Sequence, residues 1–512
     1  MRKIWIIAVS SFIALASFSS CGNKQDETDL FGDSEKFKNL AEATLTVCVP
    51  GFYGGEESES TRLVLDEIER RTRDTLKVKL EVVTLPWLQY EDELKRTINS
   101  GEPCDAYLTF FDESRNVLKT MYDAGLALDV TSLFPEYAPR YYRTLKPEDL
   151  APLTIDGKLL AVRNNYPAVD RVCVVVRDEL LQKYNVSSIK GLDDLEAFMA
   201  VLKQNEEDMT VLTVTRPLIS IFAASFGYAV LNYDLGLVYK WNDPAMKIVA
   251  WEQTPEYAKA LERAFDWYKK GYVNKIVNQI AIVTPDPVLV RSKKWGIWLM
   301  NAGASAYFNE VLASSGERGR FVEFPLFPEA VCQRVSYPPL GLVLSPRSKN
   351  PERALMLVEW AHANQENYDL VRYGIQGKHW VLQGDQYAFP EGTARNESYM
   401  NRSGFGGLFS DVNFERTHVS SPQAFRDYLR RTLVEEAKYP PHGAAVFDFQ
   451  GIDTVLRRRT AYDMEWTLLT GGYDADSLRN YIRQEKELGI DKLVLHVQAQ
   501  LDALRKKNDA SR

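Results

Sequence analysis

Between Leu45 and Phe111, short apolar runs alternate with amphipathic helical patterns, and this alternation restricts the fold more than any other feature of the chain. Leu45 to Val49 reads as a strand closed by Pro50-Gly51. Ser58 or Ser60 caps a helix whose apolar stripe includes Leu63, Leu65 and Ile68. Lys77 to Val82 alternates strictly, the mark of a half-buried strand. A helix opened by Trp87, with Leu94 and Ile98 on one face, stops at Gly101, where a left-handed cap is wanted. Asp105 to Phe111 is the third strand. Such a succession predicts an α/β fold with a parallel sheet covered by helices. Ligands of such sheets lie beyond the carboxyl ends of the strands. Here those ends carry Phe52-Tyr53, Trp87 and Phe110-Phe111-Asp112.

The stretch Ile155 to Arg177 decides whether there is one such sheet or two. Asp156-Gly157 is a tight-turn signal, Lys158 to Val162 a short strand, and Arg163-Asn164-Asn165 a polar break. Pro167 ends regular structure, and Val172 to Val176 is a β-branched run of strand length. One reading is that the chain leaves a first lobe at Arg163 to Tyr166 and enters a second, so that the crossing floors a cleft. The other is a surface hairpin followed by the next strand of a single large sheet. Further along, Leu180 to Tyr184, Leu192 to Gln204 and Pro255 to Gly271 read as helices, the last with Ala258, Leu261, Phe265 and Tyr268 on its apolar face. Met209 to Val214, Lys294 to Met300, Phe321 to Phe327 and Leu340 to Leu344 read as strands, the last two returning to the first lobe. A helix runs from Pro351 to about Asn367, a Gly-, Asn- and Ser-rich loop from Gly384 to Gly407, and a final helix from Asp491 to Lys507.

At 512 residues the chain suits two or three domains, and its 45% hydrophobic and 26% charged content is that of a globular protein. Arg2 and Lys3 followed by the apolar run Ile4 to Ala16 form an export signal, too short to span a bilayer stably. Removing residues 1–20 takes away those two cations and moves the formal charge from −8 to −10, a poor balance for nucleic-acid binding. Of the remaining cysteines, Cys48, Cys104, Cys173 and Cys332 share no metal-ligand or C-x-x-C spacing and read as buried free thiols; no metal and no cofactor is expected.

Several segments carry a resemblance. Ser19-Ser20-Cys21-Gly22 resembles a bacterial lipoprotein signal, with Phe18 in place of the usual Leu. Asn99 to Asp105, Asp123 to Val130, Asp156-Gly157-Lys158, Ile375 to Trp380, Phe447-Asp448, Thr470-Gly471-Gly472 and Leu488 to Lys492 resemble, in order, segments of the extracellular solute-binding lipoproteins of ABC-type sugar importers. The terminal segments are similar to the LipO-type branch, which adds its own C-terminal domain. The resemblance implies a two-lobed, hinged periplasmic-binding-protein-like fold of type II with a helical C-terminal extension. It also implies permease partners in the membrane, a lipid anchor at Cys21 and a place on the outer face of the bacterial membrane, with residues 21–41 as tether. The chain departs from maltose-type binders at Asn301-Ala302-Gly303-Ala304, where those proteins carry a Trp after an Asn-Gly-Pro turn.

On this reading lobe one is 42–163 with 299–343, and lobe two is 168–298 with 344–512, the C-terminal domain beginning near 440. The solute is an oligosaccharide or a related polar molecule, bound by a monomer without catalysis. Sugar rings stack on aromatic faces, and their hydroxyls need in-plane donors and acceptors. Tyr53, Trp87, Phe110, Phe111, Tyr166, Tyr337 and Trp380 supply the first kind of surface, and Asp112, Arg163, Asn165, Arg216 and Asn301 the second. Each has a plainer role open to it: Trp87 as a core anchor, one of Phe110 and Phe111 in the sheet's own packing, Arg163 as the counter-ion of a carboxylate across the hinge. A secreted glycosidase using two carboxylates, or a tethered adhesin or sensor, remains the alternative.

Overall fold

The computed structural model describes residues 37, 39–51, 58–86, 89–109, 117–166, 169–214, 218–232, 235–273, 287–334, 341–393, 398–402, 404–439, 447, 452 and 472–510. Strands β1 (Ala43–Gly51), β2 (Val78–Pro86) and β3 (Ala106–Leu108) are parallel, with β1 between the other two. They are linked by helices Glu59–Arg71 and Tyr90–Ser100. Ser58 caps the first of these, its Oγ accepting the Thr61 N–H at 3.1 Å. Gly101 ends the second at φ +83°, where a side chain would strain the backbone. After the hairpin Thr154–Ile155/Lys158–Leu159 comes β4 (Val162–Arg163), at the edge of this first sheet. Its apolar core draws on Leu45, Val47, Leu65, Ile68, Leu94 and Leu108, all buried.

The chain then passes through β5 (Val169–Asp170) into β6 (Val172–Arg177), which lies in a different sheet. That sheet has four strands: β6, β7 (Thr210–Val214), β8 (Trp295–Asn301) and β9 (Phe321–Pro325), in the order β9-β6-β8-β7. The two largest sheets among the described residues are therefore distinct, and the chain crosses from one to the other between Arg163 and Val172. Helices Gly191–Asn205 and Pro255–Lys269 cover the second sheet's core. The latter helix buries Tyr257, Ala260, Leu261, Ala264 and Trp267, rotated from the expected face; Phe265 and Tyr268 stack on each other nearer solvent instead. The expected stripe still borders that core, with Leu261 inside it and Ala258 and Phe265 packed against it, but the face carrying Trp267 lies deepest.

β10 (Gln333–Arg334) pairs antiparallel with β5 as a two-stranded ribbon between the sheets, and β11 (Gly341–Leu344) rejoins the first sheet between β3 and β4. The expected lobe boundaries move accordingly. β9 and the turns about Asn301 belong to the second sheet, because Phe321–Pro325 hydrogen-bonds along β6. Helix Pro351–Ala361 packs in the first core rather than the second, with every residue from Arg353 to Ala361 buried. It also stops short of Asn367: Asn364 starts a new helix, Gln365–Tyr373, by accepting the Asn367 N–H at 2.9 Å. The glycine-rich stretch expected as a loop holds strand Gln386–Ala388 and short helices Tyr399–Arg402 and Gly404–Gly407. A Cβ on Gly406 would come within 2.8 Å of the Val371 carbonyl oxygen, so that glycine serves close packing. The C-terminal helix Ile490–Ala510 buries Ile490, Leu493, Val497 and Leu501 against Leu237, Tyr239, Met246 and Ile248. Cys48, Cys104, Cys173 and Cys332 are free and buried.

Candidate functional site

Strand register fixes where the two sheets face each other. In the first sheet Leu108, the last residue of β3, lies opposite Leu342, and Gly341 lies opposite Arg163. The chain thus leaves this sheet at the edge where β3 ends. In the second sheet Asn301, the last residue of β8, lies opposite Val172, the first of β6, and Val214 lies opposite Leu299. The chain thus enters at the edge where β7 and β8 end. The carboxyl edges of both sheets flank the β5–β10 ribbon, the geometry in which α/β sheets bind ligands.

One carboxylate ties the crossings together. Asp149 is buried and receives the Arg334 guanidinium at 3.2 Å and the Tyr439 hydroxyl, with Arg163 Nη2 at 3.7 Å. Arg163 leaves the first sheet, Arg334 lies on the returning ribbon strand, and Tyr439 follows Lys438, which bridges to Gln333. Arg163 also donates to the Asp149 carbonyl oxygen at 3.2 Å. Its guanidinium is therefore engaged by the hinge rather than held free for a ligand. Two residues on, Asn165 donates to Asp411 at 3.1 Å, and burial raises the Asp411 carboxyl above its ordinary range. Tyr166 is half-buried against Val169, Cys332 and Leu433, and burial pushes its phenol up to about 12.

Across the gap, Asn301 sits half-exposed at its strand end, its Oδ1 buried without a hydrogen-bond partner among the described residues. Behind it Glu323 accepts the Gly303 N–H at 2.9 Å and the Ser305 N–H at 3.0 Å, which clamps the turn. Burial raises that carboxyl despite the two bonds. Ala302, next to Asn301, packs in the same cluster as Tyr166, while Arg163 turns to Asp149 and Asn165 to Asp411. Trp380 lies elsewhere. It is 2% exposed, packed with Tyr368, Tyr373 and Tyr387, and its indole N–H donates to the Gly374 carbonyl at 2.9 Å. Its ring faces are taken up by packing, not presented to the gap. Tyr53, Trp87, Phe110, Phe111, Asp112, Arg216, Tyr337 and Cys21 lie outside the described residues. No local motif marks Asp149 or Glu323 in the sequence, because their partners are far along the chain.

Residues 65–374 match the family of bacterial extracellular solute-binding proteins, more than half of the chain. The chain belongs to that family. A carbohydrate ABC transporter substrate-binding protein of Streptococcus pneumoniae serotype 4 is 22% identical to this solute-binding protein over 382 residues, 74% of this chain and 73% of that one. The N-glycan transport solute-binding protein NgtS from Streptococcus pneumoniae has the same fold, with a TM-score of 0.73 at 17% identity over 91% of this chain and 100% of that chain. FusA of S. pneumoniae, crystallised with kestose, superposes with a TM-score of 0.65 at 16% identity over 91% and 100%. The two-lobed reading of the crossing is thereby the one the fold adopts. Among the described residues no helix is long and apolar enough to cross a membrane.

Proposed function

We propose that this protein captures an oligosaccharide in the gap between its two sheets and hands it, in a closed form, to an ABC permease. The carrying observation is the register: both carboxyl edges flank the ribbon, where Tyr166 shares a cluster with Ala302, just past the end of β8. The carbohydrate importers and saccharide-binding proteins among its relatives support the same choice of solute. Aromatic and amide side chains at such a position suit sugar faces and hydroxyls. A ligand favours the closed form only to the extent that it touches both lobes. In this reading the mature protein is a monomer held at the outer membrane face by lipid on Cys21, and it performs no chemistry on the solute.

A thermal-shift screen over mono- and oligosaccharides tests the solute class; a saccharide at one hundred times its Kd adds about 2.7 kcal/mol of stability. Tyr166→Ala combined with Arg216→Ala weakens that binding while leaving the far-UV spectrum intact. Unchanged calorimetric affinity would remove this site from consideration, and product release from the saccharides would replace the binding reading with an enzymatic one. Cys21→Ser releases the protein into the aqueous phase on detergent partition; retention in the detergent phase would contradict the anchor.

A further inference from the structure

Helix Gln423–Arg430 has no fully buried residue, yet one of its faces lies against the carboxyl edge of the second sheet. Leu429 joins the cluster of Val169, Cys332 and Leu433 that also holds Tyr166 and Ala302. Its Cδ1 is so near the turn after β8 that a Cβ on Gly303 would meet it at 3.2 Å. Tyr428 reaches the start of β6, its hydroxyl 3.5 Å from the Cys173 sulfur. Cys173 lies opposite Met300, and Gly303 follows two residues after Asn301, so both contacts seat the helix on strand ends that flank the gap. On another flank Arg426 pairs with Asp385 at 2.9 Å, which fixes the helix's rotation.

Phe425 precedes Tyr428 by three residues and Leu429 by four, so it shares their face, one turn nearer the helix start. Its ring meets that of Tyr428 at a centroid distance of 6.1 Å and an angle of 45°. Among the described residues it packs in none of the hydrophobic clusters, and part of the ring stays uncovered. A single half-covered phenylalanine on a surface is ordinary. Position sets this one apart, because the face it shares is the face turned to the crossing. With Trp380 closed in among tyrosines, Phe425 and Tyr428 supply an aromatic surface beside the gap. The axial C–H bonds of a pyranose form a flat apolar patch of the size of one such ring, while its hydroxyls stay at the rim.

We infer that Phe425, backed by Tyr428, is the shelf on which one pyranose ring of the saccharide stacks. The inference rests on the saccharide-capture reading and deepens it with a ligand-contacting residue. No sequence pattern marks Phe425: the run from Gln423 to Arg430 reads as an ordinary amphipathic helix, and only the fold lays its apolar face on the end of β8.

Calorimetry on the full-length mature protein with maltotriose, cellotriose, mannotriose and N-acetylchitotriose finds the member that the parent binds tightest. Phe425→Ala weakens that binding roughly tenfold, the scale of one lost aromatic contact. Phe425→Leu keeps apolar bulk without a flat ring and loses most of the same affinity, while Phe425→Trp matches or exceeds the parent. All three variants keep the parent's thermal midpoint in the absence of saccharide, because the residue belongs to no core. Affinity within about twofold of the parent in Phe425→Ala overturns the shelf but leaves saccharide capture standing. An equal loss in Phe425→Trp, or a loss that follows a lowered midpoint in every variant, makes Phe425 a packing residue and also overturns the shelf. A parent that binds none of the four trisaccharides overturns the pyranose assignment, and one that binds no saccharide in a wider screen overturns capture itself.

Discussion

Replacing Asp149 by Asn perturbs all three hinge passages at once, and its cost follows from the contacts. The side chain keeps its shape and one acceptor oxygen but loses its charge. Arg163 is then left 6% exposed without its counter-ion, and its Nε already has no hydrogen-bond partner among the described residues. Arg334 loses the carboxylate 3.2 Å away and keeps its bond to the Tyr439 hydroxyl at 3.1 Å. Removing one member of a buried ion pair costs about 3–5 kcal/mol. The Asn oxygen retains part of the bonding, so the lower end, about 3 kcal/mol, is expected. With a urea slope of about 3 kcal/mol/M, that is a fall of roughly 1 M in the midpoint of the transition reporting on the first lobe. Urea titration followed by far-UV circular dichroism at pH 7 measures it. Pairing the change with Arg163→Met removes the stranded charge, so the double variant is more stable than the sum of the two singles predicts, by about 1 kcal/mol or more. A shift below 0.3 M, or strict additivity, would refute the view that Asp149 neutralises the hinge.

Trp380→Ala removes an indole locked among tyrosines, and is expected to cost about 3–5 kcal/mol in urea unfolding while leaving saccharide affinity unchanged; a selective loss of affinity would return Trp380 to the site. Gly341→Ala brings a Cβ to 2.7 Å from the Val162 carbonyl oxygen, forcing β4 and β11 apart; a loss of about 1–3 kcal/mol is expected, and wild-type stability would show that the strands can part freely. The hydrogen bond from Arg70, helped by Arg71, holds the Glu67 carboxyl down at about 2. Its stabilisation is therefore present above the unfolded value of about 4.3 and is lost as pH falls toward 2. Glu67→Gln lowers the urea midpoint at pH 7, and the gap to the parent narrows below about pH 4.5; a constant gap down to pH 3 would contradict the pairing.

Local signals carried the individual elements well. Ser58 caps its helix and Gly101 closes the next, because capping depends on residues within a turn or two. The apolar run at Val172 to Val176 is a fully paired strand, flanked on both sides within its sheet. What local signals lacked was partner choice. Phe321–Pro325 reads equally well as a strand of either sheet, and only its hydrogen bonds along β6 assign it to the second. Trp380 shows the same blindness: its aromatic face suits a sugar ring equally well, yet Tyr368, Tyr373 and Tyr387 close around it. The Asp149 cluster joins positions up to 290 residues apart, a separation no periodicity encodes.

Closure of the two sheets about the β5–β10 ribbon is read most directly by small-angle X-ray scattering of the mature protein, free and saturated with the tightest-binding saccharide. The saturated sample is expected to have a smaller radius of gyration, with the far-UV spectrum unchanged. An identical scattering curve at proven saturation would contradict capture between two moving lobes.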